Sequence, residues 1–150
     1  MKNPTRQMTE IERAWLAGFI DGEGSIGVYR KKSASALHPH DFGVRLLVVN
    51  TNQPVMDYIK VLTGCGCSWV SKKGFKPQWR PVHRWACVGE NARDIVRQIL
   101  PYLKIKRAIA DLILTMPVNS KQGRTAAQVI EQLGVFSAAK ELNRRGVRSE

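Results

Sequence analysis

Residues 15–29, WLAGFIDGEGSIGVY, join a helical pattern to a strand pattern around two acids. Apolar side chains recur at helical spacing in the first half, and the second half reads as a β-strand. Asp21 and Glu23 stand at the junction, each followed by a glycine. A helix C-terminus carries partial negative charge, so an acid there costs about 0.3–1 kcal/mol. The placement predicts something that offsets this cost, and a bound cation is the obvious candidate.

The charge balance indicates a polyanionic partner. The 150 residues include 24 Lys and Arg against 12 Asp and Glu, a net charge of +12. Nucleic acid is favoured over a membrane surface, and a generically basic protein is the alternative. The longest apolar run near the N-terminus, Ala14–Ile20, is far shorter than the roughly 20 residues of a bilayer span. We therefore expect an intracellular protein with neither a membrane partner nor a small-molecule substrate.

Three cysteines, Cys65, Cys67 and Cys87, do not indicate a disulfide framework. Their number is odd and no secretion signal precedes them. Cys65 and Cys67 lack a second ligand pair at the spacing of a zinc site. We expect reduced, structural thiols.

The order of predicted elements is αββαββα, an α+β class, in a single domain of residues 1–150. Thr9 and Glu12 have the spacing of a capping box and open the first helix, which we expect to end near Asp21. Residues 1–8 are expected to be flexible, and residues 117–150 to form a helical C-terminal extension. The expected strands are 25–32, 42–49, 68–71 and 82–88. The later helices are expected after Asn52 and over 91–100, 105–116, 126–133 and 137–145.

Small residues recur every four positions along the first helix. Ala14, Gly18 and Gly22 form a stripe beside larger apolar side chains. A glycine inside a helix costs about 1 kcal/mol relative to alanine. Close approach of a second helix would compensate, and tight packing within one chain is the alternative.

Residues 16–24, LAGFIDGEG, resemble the signature motif of the LAGLIDADG homing endonucleases. The segment LPYLKIKRAIADLIL, residues 100–114, is similar to the second recognisable block of that family, and the element order agrees. The resemblance implies a site-specific endonuclease that makes double-strand cuts in a long, pseudo-palindromic DNA target by metal-dependent phosphodiester hydrolysis. It leaves open an organellar, archaeal, bacterial or phage origin.

The resemblance also implies roles for individual residues. Glu23 stands where the family has its metal-binding acid, usually Asp, and the Gly22 carbonyl is a further candidate ligand. The metal would be Mg²⁺ or Mn²⁺, two or three ions per dimer. Lys106 matches the basic catalytic residue of the second block. Asn50 corresponds loosely to a residue that organises water, with Asn52 as a competitor better explained as a helix N-cap. Asp21 is either structural or a metal ligand.

Residues 58–89 form a basic segment without a single acid, and we expect this segment to carry the DNA-binding hairpin. Alternate strand residues would face the major groove. The expected DNA-contacting residues are Tyr29, Lys31, Arg45, Lys72, Lys76, Gln78, Arg80, Arg84, Arg144 and Arg145, the last two in a phosphate-contacting or simply disordered basic tail. Arg30 should face the other way.

The chain contains one copy of the motif, and single-motif members of the family pair as homodimers. The resemblance therefore implies an interface through Ala14, Gly18 and Gly22. Two alternatives share the fold: an RNA maturase that binds intron RNA, and a non-cleaving sequence-specific DNA-binding protein. A third, an unrelated basic RNA-binding or ribosomal protein, leaves the stripe of small residues unexplained.

Overall fold

The computed structural model describes residues 4–33, 40–71, 76–118 and 124–146, with the side chains of 145 and 146 excepted. The helices are α1 (Glu10–Glu23), α2 (Gln53–Thr63), α3 (Gly89–Ile99), α4 (Arg107–Leu114) and α5 (Ala126–Gly146). The strands are β1 (Gly24–Lys32), β2 (His40–Asn50), β3 (Cys67–Ser71) and β4 (Val82–Val88). A short 3₁₀ turn, Leu100–Tyr102, precedes α4. The predicted α+β class and the αββαββα order are confirmed.

The four strands form one antiparallel sheet in the order β1-β2-β4-β3. Its inner face is covered by helices and carries the buried side chains Ile26, Leu46, Val48 and Trp85. Cross-strand partners point to the same side of a sheet. The opposite set of residues therefore forms a second, outer face, which α1–α4 do not cover.

The first helix is set by local signals at its start. Thr9 accepts a hydrogen bond from the Glu12 backbone N–H, and the Glu12 side chain accepts one from the Thr9 N–H, so both halves of the capping box are present. Leu16, Ala17 and Ile20 on one side of α1 are fully buried. The helix ends directly in β1, which places Glu23 at the junction of helix and sheet.

The prediction of a flexible N-terminus is wrong for residues 4–8. Met8 is buried, its N–H donates to the Gln98 side chain over 3.0 Å, and the Arg6 N–H donates to the Thr63 carbonyl over 2.9 Å. Thr5 also bonds to Asp94. Polar composition suggested fraying, but these residues have partners far away in the sequence.

The C-terminal extension is one helix of 21 residues, not two shorter ones. Gly134 interrupts the helical pattern in the sequence, yet it lies inside α5 and its backbone is not in the left-handed region. Ala139 is buried, and Phe136 packs against Phe42 with ring centroids 5.3 Å apart. These contacts hold α5 along the sheet, so the glycine costs propensity without breaking the helix.

Candidate functional site

Asp21 joins the end of α1 to the loop before α4. Its carboxylate accepts the backbone N–H groups of Lys104, Ile105 and Lys106 over 2.7, 3.2 and 2.9 Å. Burial opposes ionisation of this side chain, but the three N–H donors outweigh it and lower the pKa of Asp21. The cost of Asp21 at the end of α1 is thus offset by backbone N–H donors of the segment before α4.

Glu23 is the last residue of α1 and differs sharply from Asp21. Its side chain is exposed and makes no hydrogen bond or ion pair with any residue that the structure describes. Gly22 beside it is exposed as well. The strand begins at Gly24, so the Gly22 carbonyl lies beyond the reach of the helical hydrogen-bond ladder. Two hard oxygen donors therefore lie together at an open helix end, and they suit Mg²⁺ chemically.

Lys106 lies just before α4 and is half-buried. Its Nζ donates to the main-chain carbonyl of Asp21 over 2.5 Å. Burial lowers the pKa of Lys106, while the negative charge of Asp21 acts in the opposite direction. Asp21 thus binds both the backbone and the side chain of Lys106. Because Asp21 is two residues before Glu23 in the sequence, these bonds place Lys106 at the same end of α1 as Glu23.

Asn50 is the last residue of β2 and lies at the same end of the sheet as Glu23. Val48 pairs with Gly24, and Asn50 is two residues further along the strand. Its Oδ1 accepts the Asn52 N–H over 2.9 Å. The Asn52 side chain accepts the Val55 N–H and caps α2, as its position in the sequence suggested.

The small residues of α1 lie on its exposed side. Ala14, Gly18 and Gly22 are all exposed, and a Cβ atom added to either glycine would meet no atom within 4 Å. Ile11 is 81% exposed and Trp15 37% exposed on the same helix. The stripe is therefore not explained by packing among the described residues of one chain.

The outer face of the sheet carries part of the predicted DNA-binding set. Tyr29 pairs with Gly43, Arg45 with Gly27, and Arg84 with Val49, all on this face. Lys31 is exposed on the same face. Arg30 points to the other side, where its guanidinium lies 5.6 Å from the centre of the Phe136 ring.

The remaining candidates lie outside the strands. Lys76, Gln78 and Arg80 are exposed in the segment before β4, and Lys76 stacks on Trp79 at 5.2 Å. Lys72 and the side chain of Arg145 lie outside the described residues. Arg144 is exposed on α5 and forms an ion pair with Glu141 over 2.9 Å.

The structure adds residues that sequence reasoning missed. A cleft beside Lys106 is lined by Gly24, Ser25, Ile105 and, from the far end of α5, Asn143. The Asn143 side chain donates to the Ile26 carbonyl over 3.3 Å. No local sequence pattern predicts this contact, because it joins residues that are 117 positions apart in the chain.

These observations define a class of protein: helices cover one face of a four-stranded antiparallel sheet, and an exposed acid lies where a helix with small, exposed residues enters the sheet. Solved structures of homing endonucleases have this fold. The structure of I-CvuI bound to the I-CreI target aligns with a TM-score of 0.76 at 24% identity, over 89% of this chain and 82% of that one. The archaeal I-Vdi141I bound to DNA aligns with a TM-score of 0.63 at 15% identity, over 90% and 84%.

Curated relatives agree with this class. DNA endonuclease I-CvuI of Chlorella vulgaris is 30% identical over 115 residues, 74% of this chain and 66% of that protein. DNA endonuclease I-CreI of Chlamydomonas reinhardtii is 27% identical over 105 residues, 67% and 58%. The chain belongs to the LAGLIDADG homing endonuclease family.

The similarity covers only part of these relatives. The matched part of the chain spans less than two thirds of the length of each curated relative. No protein-family model matches the chain.

In the part of the chain that the structure describes, no helix has the length and apolar character required to cross a membrane.

Proposed function

We propose that the protein is a site-specific DNA endonuclease that acts as a homodimer on a long, pseudo-palindromic duplex. The observation that carries the proposal is Glu23, an exposed carboxylate without a partner among the described residues, at the end of a helix whose exposed side is made of small residues. Family membership and a net charge of +12 support the same function.

The donor set supports a homodimer. Within the described ranges, no group of three or more His, Cys, Asp or Glu side chains could hold a metal ion. Asp21 is engaged by backbone N–H donors, so among the described residues one chain offers only the carboxylate of Glu23 at the end of α1. If two copies pack through Ala14, Gly18 and Gly22, the two Glu23 residues meet at the two-fold axis, and the site is completed by the partner copy.

Glu23 and the Gly22 carbonyl would hold Mg²⁺ or Mn²⁺, two or three ions per dimer. The bound metal would supply Lewis acidity and a water of lowered pKa. Glutamate in place of aspartate keeps the hard oxygen donor and extends its reach by one methylene group.

Lys106 would act on the phosphate side of the reaction. An ammonium group has three N–H donors. One is used on the Asp21 carbonyl, so two are free for a phosphate oxygen or a water molecule. Because burial lowers the pKa of Lys106, this lysine gives up a proton more readily than an exposed one. Asn50, at the same end of the sheet, would position water near this group.

A cleavage selection tests the proposal. The protein is incubated with a library of long duplex sites, with Mg²⁺ present or replaced by Ca²⁺, beside Glu23→Gln and the control Glu10→Gln. Glu10 is an exposed acid in the first turn of the same helix, far from the junction. We expect Mg²⁺-dependent double-strand cuts at one pseudo-palindromic sequence, lost in Glu23→Gln while binding survives and kept in Glu10→Gln.

Two outcomes would contradict the enzyme. Sequence-specific duplex binding without cutting by the unaltered protein would favour a non-cleaving DNA-binding protein. Preference for structured intron RNA over any duplex would favour a maturase. Equal cutting by Glu23→Gln would remove this acid from the mechanism.

A further inference from the structure

Trp69, Arg84 and Val49 form one row across three strands of the outer sheet face. Trp69 pairs with Arg84 between β3 and β4, and Arg84 pairs with Val49 between β4 and β2. Paired residues point to the same side of a sheet, with Cβ atoms about 4.5–5.5 Å apart. The Trp69 indole is 46% exposed, so a large apolar surface lies beside a guanidinium on the face opposite the helices.

The neighbouring row carries no charged side chain. Leu47 pairs with Ala86, and Ala86 with Cys67, on the same outer face. A surface that bound only phosphate would carry basic side chains at these positions. Arg84 is the one charged member of the two rows, and apolar side chains lie on both sides of it.

The Arg84 guanidinium is available for a ligand. It makes no ion pair or hydrogen bond with any residue in the described ranges. By contrast, Arg6, Arg93 and Arg124 are paired with Glu12, Glu90 and Asp41. A half-buried arginine between apolar side chains has a restricted orientation, which favours directed hydrogen bonds over diffuse attraction to phosphate.

The chemistry of the DNA bases indicates which of them would bind a surface made of an apolar side chain and an arginine. Thymine alone among the four bases presents a methyl group in the major groove, and guanine presents two acceptors that suit arginine. We propose that Trp69 is a specificity-determining residue that contacts a thymine methyl group in each half-site, while Arg84 binds an adjacent guanine. This inference rests on the proposed function, because it requires a specific duplex in contact with the outer face.

Removal of single methyl groups from the target tests the inference. The duplex recovered from the cleavage selection is remade with each thymine replaced in turn by deoxyuridine, which lacks only that methyl. Binding is measured in the Glu23→Gln background, so that cleavage does not interfere. We expect one thymine position in each half-site at which the replacement weakens binding about fourfold, the value of one buried methyl group.

Variants then assign the contact. Trp69→Ala should bind the thymine and deoxyuridine duplexes equally, and Trp69→Leu should keep part of the difference because it keeps an apolar side chain. Val70→Ala is the matched control: Val70 is 45% exposed on the same strand but points to the other face, where it pairs with His83. It should keep the full difference. Should Trp69→Ala fail to fold, Trp69→Gln replaces the indole with a larger side chain than alanine that is polar, and it should also lose the difference.

Two results would overturn the inference. Either no thymine position is sensitive to loss of its methyl, or the fourfold loss persists unchanged in folded Trp69→Ala or Trp69→Gln. Both leave the endonuclease standing, since a selected and cut sequence must exist before they can be measured. Failure to select any duplex would count against the proposed function itself.

Discussion

At the scale of the residue, two acids separated by one position have different environments. Asp21 is 9% exposed and is surrounded by backbone N–H donors from the loop before α4. Glu23 is exposed and unpaired among the described residues. The two acids are close in sequence but differ in their contacts. Asp21 connects α1 to the loop before α4, whereas the carboxylate of Glu23 is accessible to a ligand.

Asp21→Asn should destabilise the protein by about 2 kcal/mol at pH 7, because an amide oxygen replaces a charged acceptor of three N–H groups. The folded state lowers the pKa of Asp21 below the usual 3.8. The stability that this provides is therefore present above that value and is lost as pH falls through the folded pKa. Urea denaturation of both proteins from pH 7 to pH 2.5 should show the difference shrinking below about pH 4. A constant difference across this range would contradict the account.

Lys106→Met should reduce the cleavage rate by about 100-fold or more while leaving DNA affinity nearly unchanged, because it removes one positioned proton donor. The measurement is single-turnover cleavage on the selected duplex. Lys104→Met is the matched control, since Lys104 is exposed on the same loop and contributes to the Asp21 contact only through its backbone. Equal losses in the two variants would argue against a specific role for Lys106.

At the scale of the element, α1 has two different sides. Leu16, Ala17 and Ile20 are buried against the body, whereas Ala14, Gly18 and Gly22 are exposed. Glycine on a solvent-exposed helix face has no stabilising role within one chain. The exposed side is thus available for the proposed packing of a second copy of the same helix.

Gly18→Trp should convert the protein into a folded monomer, because a Cβ at this position meets nothing in the chain but would block close approach of a partner helix. Sedimentation velocity measures the oligomeric state, and circular dichroism reports the fold. Gly134→Trp makes the same change on another exposed helical glycine with free space around it, and it should remain dimeric. A dimeric Gly18→Trp would move the interface elsewhere.

Helix α5 passes through Gly134 without a break. Gly134→Ala should therefore stabilise the protein by about 0.5–1 kcal/mol, since alanine has the higher helix propensity and its Cβ meets no neighbouring atom. Thermal unfolding measures the change. Destabilisation would mean that residue 134 lies in a turn between two helices.

At the scale of the whole molecule, the two faces of the sheet differ in composition. Its inner face and the helices contain the core, and its outer face presents Tyr29, Lys31, Arg45 and Arg84. The junction of α1 and β1 lies at one end of this sheet, so Glu23, the proposed catalytic acid, and the proposed recognition surface belong to the same folded unit.

Binding to the selected duplex should weaken steeply with salt, because many phosphates are neutralised at once. Lys31→Ala removes one phosphate contact from each protomer of a dimer, so the slope of log K against log salt should fall in magnitude by about 2. Lys60→Ala, on α2 behind the sheet, is the control and should leave the slope unchanged. Fluorescence anisotropy at salt concentrations from about 50 to 300 mM measures these slopes. Equal slopes for the unaltered protein, Lys31→Ala and Lys60→Ala would contradict an outer DNA-binding face.

Much of this fold follows from patterns that act over a few neighbouring residues and can be read without knowing the tertiary structure. The capping box, the helical spacing after Thr9, the strand patterns and the Asn52 N-cap are readable within a few residues and agree with the structure. The motif at residues 16–24 also placed Glu23 at the end of a helix. Parity along β1 was sufficient to separate Tyr29 from Arg30.

The remaining features depend on contacts between parts of the chain that are distant in sequence. Asp21 meets residues 104–106, Met8 meets Gln98, and Asn143 meets Ile26. The continuity of α5 depends on packing that outweighs the propensity of Gly134. The pairing of Trp69 with Arg84 depends on strand register, which a shift of one residue would reverse. Local pattern specifies which elements form, and packing specifies which side chains meet.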